Sequence, residues 1–200
     1  MRAYHFLKDD MTAGSGNEPP WKVGEKRTCK GKVHLCQSGY HSSPSWYDAL
    51  NYAPGNMACI VEISKPIKKD DTKSVSKTRK LIACKDASAT LRIWGCDCAE
   101  RALKRTKVTD ERSWNAIKIA RKFAVGEATK EELAVARDAA RDAARVAAWD
   151  AAWDAARVAA RVAARDAARV AAWDAARVAE IEWQRKHLDE LMAGLFGEAK

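Results

Sequence analysis

From Arg137 to Glu180 the chain is eleven successive four-residue units: RDAA, RDAA, RVAA, WDAA, WDAA, RVAA, RVAA, RDAA, RVAA, WDAA and RVAE. Alanine is the strongest helix former, and no glycine or proline interrupts the tract before Gly194, so a helix is nearly forced. Asp at one position faces Arg three residues on at Asp138–Arg141, Asp142–Arg145, Asp154–Arg157, Asp166–Arg169 and Asp174–Arg177, which adds about 0.2–0.5 kcal/mol per pair. Thr129-Lys130-Glu131-Glu132 reads as a capping box that starts the helix. One helix from Thr129 to Phe196 would be roughly 100 Å long. Four residues advance a helix by about 400°, so the Arg/Trp row winds about the axis instead of lying along one stripe. The alanine grooves admit close neighbours, and Trp149, Trp153, Trp173 and Trp183 would fill the wider gaps between helices. The expected partner is a further copy of the chain, in a multi-chain bundle. A solitary charged helix, or a tract expanded by replication slippage, is the competing reading. It leaves large apolar rings in water.

Much of the 47% hydrophobic content is alanine, so residues able to fill a globular core lie mainly before residue 125. The net charge of +9 is equally uneven. Residues 1–109 hold 20 Lys and Arg against 11 Asp and Glu, whereas 110–200 hold 16 of each. The arginine-rich tail is therefore self-neutralised, which argues against a nucleic-acid partner. The start MRAYHFLKDD lacks a signal-peptide pattern and no charge-free run has membrane-spanning length, so a cytoplasmic setting without a membrane partner is expected. Six cysteines in such a setting, Cys29, Cys36, Cys59, Cys84, Cys96 and Cys98, are expected as free thiols. Cys29, His34, Cys36 and the Cys96/Cys98 pair could supply metal ligands, but their spacing is not that of a zinc knuckle, and no metal is expected.

The front of the chain alternates between strand and turn signals. Strands are predicted at Arg2–Leu7, Lys32–Cys36, Ala58–Ile63 and Arg79–Cys84, with a short helix over Ser45–Ala53. Helical spacing follows over Ser88–Lys104 and Asp110–Val125, where Thr109 or Asp110 caps and Gly126 terminates. The expected class is α+β: a mixed or antiparallel-sheet head over 1–87, a helical connector over 88–128, and the long repeat helix over 129–200 as oligomerisation element.

The window CQSGYHSSPSWYDALNYAPGNMACIVEISK, Cys36–Lys65, runs from a glycine turn through Tyr-His-Ser-Ser and a helix with Ala49 and Tyr52 into an apolar strand holding one acid. It resembles the nicotinamide-pocket segment of the ADP-ribosyltransferase superfamily, and RAYHFL at Arg2–Leu7 resembles that superfamily's first strand. The resemblance implies that His5 binds the NAD ribose, that Tyr40, His41 and Ser42 line the pocket, and that Tyr52 stacks on nicotinamide. His41 falls where the NAD-dependent RNA 2′-phosphotransferases carry a His-x-Ser. The protein-modifying transferases place a glutamate on a later strand, and Ser74–Cys84 (SVSKTRKLIAC) has none; Arg79 or Lys80 there would suit a phosphate-bearing ligand. Read from the residues alone, His5 also fits a structural histidine, Trp46 and Tyr52 a helix face turned to the core, Glu62 a water-facing strand position, and Lys65–Lys80 a solvated basic loop.

Head and tail together also resemble a family of phage and prophage proteins, a setting that implies interference with host NAD- or nucleotide-based signalling. Three functions follow as expectations: an oligomeric protein whose head binds NAD or a related, for example cyclic, nucleotide; an NAD-dependent ADP-ribosyl- or phosphotransferase; and a self-assembling helical rod capped by its head.

Overall fold

The computed structural model describes residues 1–158 and 166–198, and side chains outside 146–175. The strands are β1 (Arg2–Leu7), β2 (Lys26–Thr28), β3 (Tyr40–Ser42), β4 (Met57–Ile63), β5 (Lys68–Lys69), β6 (Ser74–Ser76) and β7 (Thr78–Asp86); the helices are α1 (Trp46–Leu50), α2 (Ser88–Thr106), α3 (Glu111–Ala124), α4 (Lys130–Val158) and α5 (Asp166–Phe196). The chain forms two compact units, Met1–Thr90 with Arg185–Lys200, and Leu91–Gln184.

The first unit is built on an antiparallel sheet of order β1-β4-β7-β2, beside a second antiparallel sheet of order β3-β6-β5. Its centre is β4, whose run MACIVEI is buried at nearly every position, with Glu62 turned to water. Period-two alternation puts Ala3, His5 and Leu7 of β1 on the same face as Cys59, Val61 and Ile63 of β4. On β7 that face carries Cys84, then Leu81 and Arg79, because the pairing slips between Ile60 and Val61 and leaves Ile82 as the extra residue. This bulge exchanges the faces of β7 half-way along its length. The core cluster of Ala3, Leu7, Trp21, Tyr40, Cys59, Val61, Ile63 and Leu81 lies on this side.

The opposite face is covered by α1 and by the end of α5. Trp46 packs on Tyr4 and Phe6, with ring centroids 4.4 and 5.8 Å apart, and stacks on Phe196 at 5.5 Å. Ser45 caps α1 by accepting from the Asp48 N–H. Asp48 is buried yet ionically paired: the Arg185 guanidinium donates to both its carboxylate oxygens at 2.8 and 3.1 Å, and Lys85 donates to the Leu195 carbonyl at 2.7 Å. Arg185, Leu188, Met192 and Phe196 share one helix face by their spacing, and Leu188 and Met192 are fully buried.

The helical unit is tied by Arg121, which donates to Asp97 and Glu100 at 2.6 Å, by Arg92 lying over Phe123, and by the Trp114 indole donating to the Val108 carbonyl at 2.9 Å. Asp110 caps α3. The Thr129–Glu132 capping box forms with reciprocal bonds of 2.7 and 3.1 Å and opens α4. Ion pairs join Asp138 to Arg141 and Asp142 to Arg145 at 3.5 and 3.6 Å. No helix among the described residues is long and apolar enough to cross a membrane.

Several expectations meet the structure differently. The head is α+β as read, with wholly antiparallel pairing. Lys32–Cys36 is a turn, not a strand: His34 bridges only to Ser38, and Cys36 sits at φ 66°, which breaks an extended run. The short strands β2, β5 and β6 were not foreseen. A single helix from Thr129 to Phe196 would cross 159–165, which lie outside the described residues, as do the side chains of Trp149, Trp153 and Trp173. Trp183 lies under the Arg101 guanidinium, 4.5 Å from its ring centre, in the helical unit. The tail segment from Arg185 onward belongs to the head unit, although its sequence was grouped with the oligomerisation helix.

Because Asp48 is buried and Arg185 half-exposed, removing the cation leaves a carboxylate with, among the described residues, the Ser45 hydroxyl as its one side-chain donor. Arg185→Ala should destabilise the head by about 1–3 kcal/mol, and Leu188→Ala by about 2–5 kcal/mol, read as lowered denaturant midpoints. An unchanged midpoint for both would mean that the chain's last helical turns do not hold the head together.

Candidate ligand-binding cleft

Between the inward face of β1 and β7, the β3–β6 sheet and the loops over 13–18 and 36–39 lies a cleft of ≈ 530 Å³. All six residues singled out in the sequence, His5, Tyr40, His41, Ser42, Tyr52 and Arg79, line it. Backbone bonds between Tyr4 and Ser43, 2.9 Å in each direction, tie β3 to β1 and so fix His5 beside Ser42. Gly39 makes the entry to β3 possible. It lies at φ +101°, and a Cβ there would stand 2.6 Å from the Val33 side chain and 2.9 Å from Val75.

Arg79 is the unusual group. It is 3% exposed, and its only hydrogen bond among the described residues runs from Nη1 to the His41 carbonyl at 3.1 Å. No carboxylate among the described residues pairs with it. The guanidinium instead lies over the rings of Trp21 and Tyr40, 4.5 and 5.1 Å from their centres, contacts that offset part of the desolvation. Burial pulls its pKa down to about 10, so it is still a cation at neutral pH. Its cross-strand neighbour Arg27 differs, being held by Glu25 at 2.7 Å, by Glu18 and by the Pro19 and Pro20 carbonyls.

Two further polar atoms in the wall are buried without a partner, His5 Nε2 and Ser42 Oγ. Burial, then the charge of Arg79, holds the His5 imidazole well below its ordinary value of 6.5. His41 accepts the Cys36 N–H at Nε2, 2.8 Å, so its neutral ring carries the proton on Nδ1; burial and then Lys73 lower it too. The Tyr40 hydroxyl donates to Glu18 at 2.8 Å, and burial followed by that carboxylate pushes it up to about 12. Tyr52 stands 45% exposed at the rim, the Lys73 ammonium over its ring at 4.4 Å and its hydroxyl bonded to Thr72 at 2.7 Å. The core role read for Trp46 holds, since it is buried; the same reading fails for Tyr52, which follows the end of α1 and escapes cover.

Sequence reading missed Glu18, Lys73 and Cys36 as cleft residues. Glu18 was hidden in a Gly/Ser/Pro turn region, and Lys73 in a basic run that looks like any solvated loop. Lys80, the alternative to Arg79, pairs with Glu62 and Lys26 on the other face of β7. Among the described residues no three His, Cys, Asp or Glu side chains gather as a metal site would require.

Residues 1–93 match the family model described as Domain of unknown function (DUF7666), which covers the strands and loops that form the cleft. No curated protein and no solved structure matches the chain.

The histidine shifts set a pH dependence. Above pH 6.5 His5 is neutral both folded and unfolded, so its contribution is complete; below it the unfolded chain takes up a proton that the folded chain refuses, and stability falls. His41 acts in the same direction. Wild-type stability should drop between pH 6.5 and about 5 by up to about 1.4 kcal/mol per pH unit for His5. His5→Gln should flatten that slope in denaturant titrations at stepped pH; equal slopes for both proteins would place His5 in solvent-like surroundings.

Proposed function

We propose that the head binds NAD or a related nucleotide in this cleft, its phosphate toward Arg79 and its ring against Tyr52. The observation that carries the reading is the buried, carboxylate-free Arg79 in the wall of an open cleft: an uncompensated internal cation is costly, and an anionic ligand group supplies what the fold withholds. Lys73 adds charge at the rim, and the exposed Tyr52 ring provides a flat apolar surface. Unpartnered Ser42 Oγ and His5 Nε2 give short-range polar contacts for ribose or phosphate oxygens. Likeness to the nicotinamide-pocket segment of the ADP-ribosyltransferases supports the same ligand class, and the phage likeness would make sequestering a host nucleotide signal its use.

Binding is favoured over group transfer. Glu18 is the one acid lining the cleft among the described residues, and it is already engaged by Tyr40 and Arg27. No carboxylate there is free to polarise a ribose.

We further propose that copies assemble through the repeat helices. Val135 and Val178 stand 71% and 56% exposed in the single copy, and the tetrad register distributes alanine and apolar residues around the whole helix.

Calorimetry of the full-length chain with NAD, ADP-ribose and cyclic nucleotides should give binding to at least one. Lys73→Ala should weaken it about threefold to tenfold and Arg79→Lys about tenfold or more. No heat and no melting shift with any of them sinks the nucleotide reading. Light scattering of the full-length protein should report a multiple of the 22.1 kDa chain; a monomer at all concentrations removes the assembly reading.

A further inference from the structure

Cys59 and Cys84 are directly paired across β4 and β7, and their sulfurs lie 3.1 Å apart. We propose that these two residues are an oxidisable dithiol that closes to a disulfide between β4 and β7 when the protein meets a peroxide.

Three observations carry this. First, the pairing is set by the backbone: opposed residues of an antiparallel pair have Cα atoms about 4.5–5.5 Å apart, inside the range of about 4.4–6.8 Å that a disulfide spans. Side-chain rotation alone closes the remaining gap. Second, the two sulfurs differ in the way such a pair requires. Cys59 is fully buried, whereas Cys84 is half-buried and reachable from outside. The contact between the two sulfurs holds Cys84 below its ordinary value and, with burial, pushes Cys59 up. Third, among the described residues no other two thiols are in contact. Cys96 and Cys98 stand two apart on α2, where side chains diverge, and Cys36 is exposed on its turn. Cys84 is also flanked by the Met11 thioether at 3.6 Å, so it looks onto sulfur on both sides.

The chemistry balances in two steps. The Cys84 thiolate attacks one peroxide oxygen, the O–O bond breaks, and hydroxide leaves, taking up the thiol proton as water; Cys84 becomes the sulfenic acid. The Cys59 sulfur then attacks the Cys84 sulfur, the S–O bond breaks, and the hydroxyl leaves with the Cys59 proton as a second water. Two thiols are oxidised and one peroxide is reduced to two waters. The bond would lie next to His5, the partner of Cys59 on β1, and thus behind the wall of the cleft.

The test uses reduced full-length protein treated with a several-fold molar excess of hydrogen peroxide, alkylated, and digested without reductant for mass spectrometry. The expected product is a linked pair of peptides containing Cys59 and Cys84, lighter by two hydrogen atoms than their sum and separated again by dithiothreitol. Cys84→Ser should lose the link, Cys59→Ser should carry Cys84 on to sulfinic acid, and Cys36→Ser should leave the link unchanged. Recovery of wild-type Cys59 and Cys84 as separate alkylated peptides, after peroxide has consumed Cys36, overturns the proposal. That readout needs no variant, so misfolding cannot imitate it.

Discussion

A guanidinium buried without a carboxylate is the constraint around which the head is arranged. Taking Arg79 out of water costs several kcal/mol, and the fold offsets only part of this with two aromatic faces and one carbonyl. Its surroundings follow from that choice. Trp21 and Tyr40 must both lie in the core to present their rings, and Tyr40 can be there because Glu18 accepts a hydrogen bond from its hydroxyl. His5 stays neutral because its burial, and then the field of Arg79 beside it, disfavour a second cation there. Among the described residues the remaining guanidinium donors have no acceptor, and they lie in the wall of the cleft.

Arg79 reaches that position only through the bulge at Ile82. With Ile82 paired in regular register instead of bulged, the alternation that turns Cys84 inward would turn Arg79 and Leu81 to the opposite face. The cation would then share the face on which Glu62 is turned to water. The bulge therefore separates two charge sites: a compensated pair on the side closed by the tail, and an uncompensated cation on the side that is open. It also keeps Cys84 opposite Cys59 while Arg79 shares their face.

The parts of this arrangement legible in the sequence were those with strong local signals. Arg2–Leu7 and the MACIVEI run alternate or bury so clearly that β1 and β4 could be placed within a residue, and the capping residues Asp110 and Thr129 marked helix starts by hydrogen-bond chemistry alone. The six residues that line the cleft were picked out by the chemistry and order of short motifs, not by periodicity. What was hidden is non-local. A bulge leaves no mark in RKLIACKD, because Ile82 is an ordinary strand residue. Strands of two or three residues such as β5 and β6 exist only because a neighbour pairs with them. Cys36 has a positive φ that no cysteine advertises, and the return of Arg185, Leu188 and Met192 to the head was masked because no glycine or proline separates them from the repeat that ends at Glu180.

That return ties the stability of the head to the far end of the chain. The Asp48–Arg185 contact spans 137 residues and the Lys85–Leu195 contact 110, so the face of the sheet bearing Tyr4 and Phe6 is sealed by side chains from beyond the tetrad tract. Closing so long a loop costs little more entropy than closing one of half the length, about 0.6 kcal/mol per doubling. The penalty falls on kinetics instead: contacts of such separation form late, and a nascent head would show Trp46 to water until α5 is complete. The helix α4, opened by its own capping box, forms from local contacts in that interval and offers no unpaired strand edge for the waiting sheet to capture.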